Sequence, residues 1–307
     1  MAATLPISSA NLGSEDEFHE TRNTVWRRFR KHRVATIGAG VLLLMILIAV
    51  FANLLAPANP DFIDQAHWNG YPLAPGVAGH LLGTDENGRD LLSRLMFGAR
   101  ISLTVAIFTV IMEITIGTVL GAIAGYYGGW VDFWLMRITD VVLSIPLLPL
   151  LLVLTAIVAA TSNKASLNFL TIVVIIGGLS WPSVARLVRA SFLSLREREF
   201  AEAARALGNP DGRIIFRHLL PNAVAPIIVQ ATLEIANVII LESTLSFLGF
   251  GIQPPTASWG NMLANANSMM TIAPWVAVFP GLCILVTVLA INYLGDGLRD
   301  ALDPNMR

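Results

Sequence analysis

The sequence predicts an all-α membrane protein with six transmembrane helices. Three observations lead there. Of 307 residues, 55% are apolar and 13% charged, whereas a soluble domain carries about 25% charged residues. The apolar residues gather into stretches of about 20, the length a helix needs to cross a hydrocarbon core of about 30 Å. Lysine and arginine concentrate in alternate connections, which fixes an orientation.

The six stretches are 34–55, 101–125, 141–160, 169–188, 223–245 and 274–294. The first is too long for the apolar part of a secretion signal and follows a polar tail, so it reads as an anchor. With the N-terminus on the cytoplasmic side, inner segments hold sixteen lysines and arginines and outer segments four. Both termini are therefore expected in the cytoplasm. The resulting organisation is a cytoplasmic tail over 1–33, a first span with an outer segment over 34–100, and a core of five spans over 101–307. Residues 1–26 lack apolar periodicity and are expected to be flexible.

Between the spans, Leu91, Leu92, Leu95 and Met96 share one helical face ahead of Gly98, which predicts a short surface helix ending there. Gly117, Gly121 and Gly125 recur every four residues, a spacing that lets two helices approach closely. Pro146 and Pro149 remove backbone donors from the third span and predict a kink. The uncharged outer segment 246–273 reads equally as a plain loop or as an ordered cap.

Three glutamates lie inside spans: Glu113, Glu234 and Glu242. A charge at a helix centre opposes insertion by about 3 kcal/mol, so the fifth span, with two of them plus Gln230 and Asn237, is marginal alone. Gln230, Glu234, Asn237 and Thr244 fall on one helical face. Among these stretches the only lysine or arginine is Arg186, at the inner end of the fourth. Glu113, Gln230, Glu234, Asn237 and Glu242 are thus candidates for a translocation pathway, the alternative being an interhelical hydrogen-bond patch.

Several classes of chemistry lack their motifs. The only lysines, Lys31 and Lys164, belong to no glycine-rich phosphate loop, so a Walker-type ATP site is excluded. The five histidines are scattered, Cys283 is alone and in an apolar stretch, and no metal site is expected. A serine elbow is absent, and a net charge of −1 offers nothing to nucleic acid. An intramembrane hydrolase built on the glutamates would lack any paired acid and base.

The polar stretch 196–222 separates the fourth and fifth spans on the inner side. A helix is expected over 197–207, with Gly208 as its left-handed terminator. Asn209 is then placed to cap a second helix, Pro210 to open it and Asp211 to favour its positive end. That helix, 212–219, ends before Pro221, and Arg213, Arg217 and His218 make it basic. Two short helices at an angle form a knob suited to a groove in another protein.

Glu202, Ala203, Ala204, Gly208, His218, Leu220 and Pro221 stand at the spacing of the EAA loop of permeases from ATP-binding cassette importers. Gly83-Thr84-Asp85, Gly88-Arg89-Asp90, Ser93-Arg94, the 246–249 stretch Ser-Phe-Leu-Gly, Gln253-Pro254-Pro255, Trp259-Gly260 and the run 295–304 resemble the C-type permease subunit for dipeptides, oligopeptides or nickel. The resemblance implies a type I importer permease fold in a bacterial inner membrane, and a chain that is not itself an enzyme. It implies as partners a second homologous permease, two cytoplasmic ATPases and an extracytoplasmic substrate-binding protein, with peptide as substrate. ATP and magnesium would sit on the ATPases, with no cofactor on this chain. Nickel chelates, glutathione and oligosaccharides are substrates of similar importers. The loop would be a coupling element carried by Glu202, Ala203, Ala204, Gly208, Asp211, Arg213, Ile214, Phe216, Arg217, His218, Leu220 and Pro221. For His218 a place as a cation near a helix C-terminus is an adequate account and is preferred to a ligand role. A rival reading is an ATP-independent channel whose basic loop is only a solvated connector.

Overall fold

A computed structural model describes residues 27–30, 32–161 and 169–302. The tail expected to be flexible, 1–26, lies outside the described residues, as does Lys164. Among the described residues the chain is helical, with extended pairing confined to the isolated bridges Ile63–Arg89 and Thr84–Asp90.

Helix α1, Arg33–Val50, starts where His32 Nδ1 accepts from the Ala35 amide at 3.2 Å. An irregular segment follows, and α2 spans Leu91–Tyr127. Asp90 caps α2 by accepting from the Ser93 amide at 2.8 Å. At 1.5 Å per residue the 37 residues of α2 run about 55 Å, well beyond a bilayer core. The separate surface helix expected ahead of Gly98 is therefore not present; it forms the first two turns of α2. Gly98 does not terminate the helix. A Cβ at that position would come within 3.3 Å of the Trp259 ring, so the glycine serves close packing instead.

Helix α3, Gly129–Ser144, and α4, Leu147–Thr161, meet at an angle of 83°. The single kinked span expected over 141–160 is thus two helices. Ile145 is extended with ψ 127°, as a residue before proline prefers, and Pro146 has no N–H to carry the helix through. Helix α5 is Phe169–Leu195, α6 is Glu199–Ala206, α7 is Leu220–Phe247 and α8 is Trp275–Leu302. Five stretches are long and apolar enough to cross a membrane, and the bent α3–α4 pair makes a sixth if taken as one span.

The most extensive helix interface joins α2 to α5. It runs along the glycine repeat: a Cβ on Gly117 would meet Val184 Cβ at 2.6 Å, and one on Gly125 would meet Phe192 Cβ at 2.6 Å. Helix α8 lies against α1 and α7. One apolar core, containing Leu91, Leu103, Ile176, Ile239 and Trp259, occupies the end of the bundle near the α2 N-terminus. A second core, containing Val188, Phe192, Ala204, Ile214 and Leu219, sits at the opposite end and reaches into the polar connection between α5 and α7.

The segment 246–273 is an ordered cap. Trp259 is fully buried, its Nε1 donates to Leu95 O at 3.1 Å and its amide donates to Ser102 Oγ at 3.2 Å.

Candidate functional site

The polar connection begins with α6, whose Ala201 and Ala204 are buried in the second core while Glu202 and Ala203 are exposed. Alanine at 201 and 204 lets α6 lie close on that core. Gly208 follows with φ +72°, a left-handed conformation that only glycine adopts without strain. Asn209 does not cap the next helix as expected. Its Nδ2 donates back to Ala204 O at 3.0 Å, closing α6, and Pro210 is the extended residue that opens the next turn. The expected free-standing second helix is also corrected. Asp211–Arg213 continues into a wide π turn, Ile214–Leu219, and then directly into α7. Leu220 N–H reaches Ile215 O across that turn. A proline inside a regular helix collides with the carbonyl four residues earlier, here Arg217, and the wider turn just ahead of Pro221 accommodates it.

Ile214 and Leu219 anchor this arm in the second core, while Asp211, Arg213, Phe216, Arg217 and Pro221 are exposed. His218 and Leu220 are half-buried. Phe216 is 68% exposed and Leu207 83% exposed, two large apolar side chains left outside the core on one small elbow. Leu207 was not among the residues singled out from sequence. Its signal was its place just before the terminating glycine. Such an elbow, anchored beneath and apolar with charge above, can seat in a complementary groove.

The three membrane carboxylates have three different environments. Glu234 receives hydrogen bonds from Gln230 Nε2 at 2.6 Å, Asn237 Nδ2 at 3.1 Å and Ser183 Oγ at 3.4 Å. With Ser183 and Asn237 it lines a cleft of about 580 Å³ beside the α3–α4 break. Glu242 is fully buried under the cap, where Ser246 Oγ donates at 2.7 Å and Ser102 Oγ at 3.3 Å. Glu113 is fully buried on α2, and among the described residues neither of its oxygens has a hydrogen-bond partner. The structure therefore gathers Gln230, Glu234 and Asn237 and separates them from Glu242. Thr244, expected on the same face, instead bonds its own helix at Ile240 O, 2.7 Å. Ser183 was missed because an isolated serine in an apolar stretch carries no charge signal.

Ion pairs brace α3 against α5. Arg189 chelates Asp132, with Nη2 at 2.6 Å from Oδ2, and Arg186 Nη2 lies 2.6 Å from Asp140 Oδ1. At the cap end, His80 is held between Asp90 at 2.8 Å and Asp64 at 3.3 Å, and Arg89 pairs with Asp85 at 2.7 Å. Among the described residues no cluster suits a metal ion.

A helical multi-pass bundle with a polar elbow at one end and a carboxylate-lined cleft among its spans defines a membrane permease. The chain belongs to the family of binding-protein-dependent transport system inner membrane components, whose model matches residues 117–307. Residues 22–75 match the N-terminal transmembrane domain of oligopeptide transport permease C. The chain is 41% identical to the dipeptide transport system permease protein of Alkalihalophilus pseudofirmus, over 95% of this chain and 93% of that one. It is 42% identical to the glutathione transport system permease protein of Pectobacterium atrosepticum, over 100% and 97% of the two chains. A putative peptide permease protein of Brucella suis is 44% identical over 90% and 89%. Among solved structures, a chain of the methionine ABC transporter MetNI, in inward-facing conformations, aligns with a TM-score of 0.55 and 19% identity, covering 68% of this chain and 96% of that one. That likeness concerns the fold. This protein is accordingly an inner-membrane permease component of an ATP-binding cassette importer.

Proposed function

We propose that this chain forms, with a second homologous permease, the translocation pathway of an importer for dipeptides or oligopeptides. Two cytoplasmic ATPases bind ATP and magnesium and perform the hydrolysis. A separate extracytoplasmic protein delivers the substrate, and the chain is not itself an enzyme. The N- and C-termini and the 196–222 elbow face the cytoplasm, in keeping with the charge asymmetry. Within the 101–307 core, Glu202, Gly208 and the 211–218 arm seat in a cleft of the ATPase. Closure of the ATPase pair then swings the elbow and, through α2 and α7, switches the exposure of the pathway, a hinge-type coupling between two distant sites.

One observation carries this reading: the elbow's inner face, Ala204, Ile214 and Leu219, is built into the membrane domain while its outer face, Glu202, Leu207 and Phe216, is exposed and has no partner among the described residues. Similarity to the dipeptide permease supports the substrate class. A second reading, glutathione, is favoured by the similarity over the whole chain to a glutathione permease. Affinity purification in mild detergent tests both. Co-purifying ATPases, and ATP-driven uptake of a labelled dipeptide after reconstitution, are the expected results. Transport by this chain alone, without an ATPase, contradicts the proposal.

A further inference from the structure

The cleft beside the α3–α4 break has one sign of charge. Val142, Pro146, Leu179, Ser183, Glu234 and Asn237 are among its lining residues, and among the described residues Glu234 is the only ionisable one in the lining. The carboxylate is fixed in place by Gln230 one turn before it, Asn237 one turn after it and Ser183 from α5. All three present donors, the partners a carboxylate accepts. Independently, the 16-residue helix α3 ends at this cleft at Ser144. A helix C-terminus carries about half a negative charge, and its last carbonyls have no partner within the helix. Of these carbonyls Val141 O accepts from Ser144 Oγ at 2.7 Å and Val142 O from the Ile145 amide, while the extended Ile145 and the proline at 146 keep a continuing α-helix from taking up those of Leu143 and Ser144. Broken helices place carbonyl-rich ends at cation sites in other membrane transporters.

Resting on the permease reading above, we propose that this cleft is a receptor for a cationic group of the passing substrate, a protonated primary amine, with Glu234 as its counter-charge. The volume, about 580 Å³, is that of a site for a small organic molecule rather than a bare ion. The apolar part of the lining, Leu179 and Val142 included, suits the uncharged remainder of such a substrate. Glu242 takes no part, because Ser102 and Ser246 hold it under the cap.

The test uses the complete importer in lipid nanodiscs, with Cys283→Ala removing the native thiol and Val142→Cys as reporter. Modification by cationic and anionic methanethiosulfonate reagents is compared after normalising each to its rate with a free thiol in solution. A negative cleft favours the cationic reagent by about tenfold or more. That preference persists in Glu234→Asp and falls towards one in Glu234→Gln. Alanyl-alanine protects the reporter, its N-acetylated form does not, and sodium in place of choline changes nothing. An unchanged preference in Glu234→Gln overturns the inference, as does equal protection by both peptides or protection by sodium alone. A reporter unreactive throughout overturns it too. Failure of the permease reading shows separately, as absence of ATP-driven dipeptide uptake by the complex carrying Cys283→Ala alone.

Discussion

The hydroxyl of Tyr126 donates a hydrogen bond of 2.7 Å to Asp211 Oδ1. One residue lies at the end of α2 and the other opens the arm leading to α7. Arg205 of α6 stacks over the same tyrosine ring at 5.7 Å, and Arg196 Nη1 donates to Gly125 O at 3.2 Å. Both arms of the elbow are thereby fastened to the end of α2, which packs along α5. On the coupling role proposed above, a displacement of the elbow would be passed to two spans rather than absorbed in a loop.

Tyr126→Phe removes that hydrogen bond and little else. A hydrogen bond to a charged acceptor contributes about 1.5 kcal/mol, and exposure brings this to the low end. A fall in melting temperature of about 2 °C is expected. ATP-driven uptake should drop severalfold while ATP hydrolysis continues. Parallel uptake and hydrolysis assays in proteoliposomes check this, and equal losses in both would point to damage of the fold instead.

Gly208 is exposed, and a Cβ there would meet nothing within 4 Å, so only its left-handed backbone resists substitution. A non-glycine residue with φ +72° costs about 1 kcal/mol. Gly208→Asp should therefore insert into the membrane at normal yield yet lose at least tenfold in uptake, because the elbow's angle shifts. Glu202→Lys, which reverses a charge unpaired within the described residues, should do the same. Membrane yield, hydrolysis and uptake measured on one preparation separate coupling from folding; normal uptake by both variants would refute the elbow's role.

The spans were legible because hydropathy at the scale of a bilayer is a property of the local sequence. The glycine repeat along α2 was legible for a similar reason, since spacing alone names the face. Gly98 was misleading: its signature is that of a helix terminator, and only the ring of Trp259, more than 150 residues away, reveals the packing role. At Pro146 the sequence announced a kink, but a proline alone does not specify an angle as large as 83°. The partners of Glu234 on its own helix followed from a spacing of three and four residues. Ser183 could not, and neither could the separation of Glu234 from Glu242, because a sequence does not say which neighbour will satisfy a buried carboxylate.

The α2–α5 seam should be the least forgiving interface in the bundle. A Cβ at Gly121 would collide with the Ala185 backbone carbonyl and come within 2.8 Å of Val188 Cβ. Backbone cannot step aside as a side-chain tip does, so Gly121→Ala should destabilise by about 1–3 kcal/mol. Gly40→Ala in α1, where nothing lies within 4 Å, is the matched control and should be neutral or slightly stabilising. Thermal inactivation in mild detergent distinguishes them. Equal half-lives would mean that the two helices can part without loss.

Trp259 ties the cap to the bundle by its buried ring and by two hydrogen bonds, to Leu95 O and Ser102 Oγ. Ser102 also donates to Glu242, so the cap, α2 and α7 meet in one hydrogen-bonded group. Truncating a buried aromatic costs about 3–5 kcal/mol, because a cavity replaces its contacts. In Trp259→Ala that loss falls on the cap, whose other ties include the close approach of Gly260 to Ser243, the bond of the Ile252 amide to Ser246 Oγ and that of Asn265 Nδ2 to Glu86 Oε1. Amide hydrogen exchange across 250–262 should accelerate by roughly 100-fold or more, at about 1.4 kcal/mol per factor of ten. Exchange in the α2–α5 seam should be unchanged, since the second core lies at the other end of the bundle. Trp259→Phe retains most of the ring's packing while losing the bond to Leu95, so its effect should be near tenfold. Equal exchange in wild type and Trp259→Ala would show that the cap is held by its own turns rather than by this ring.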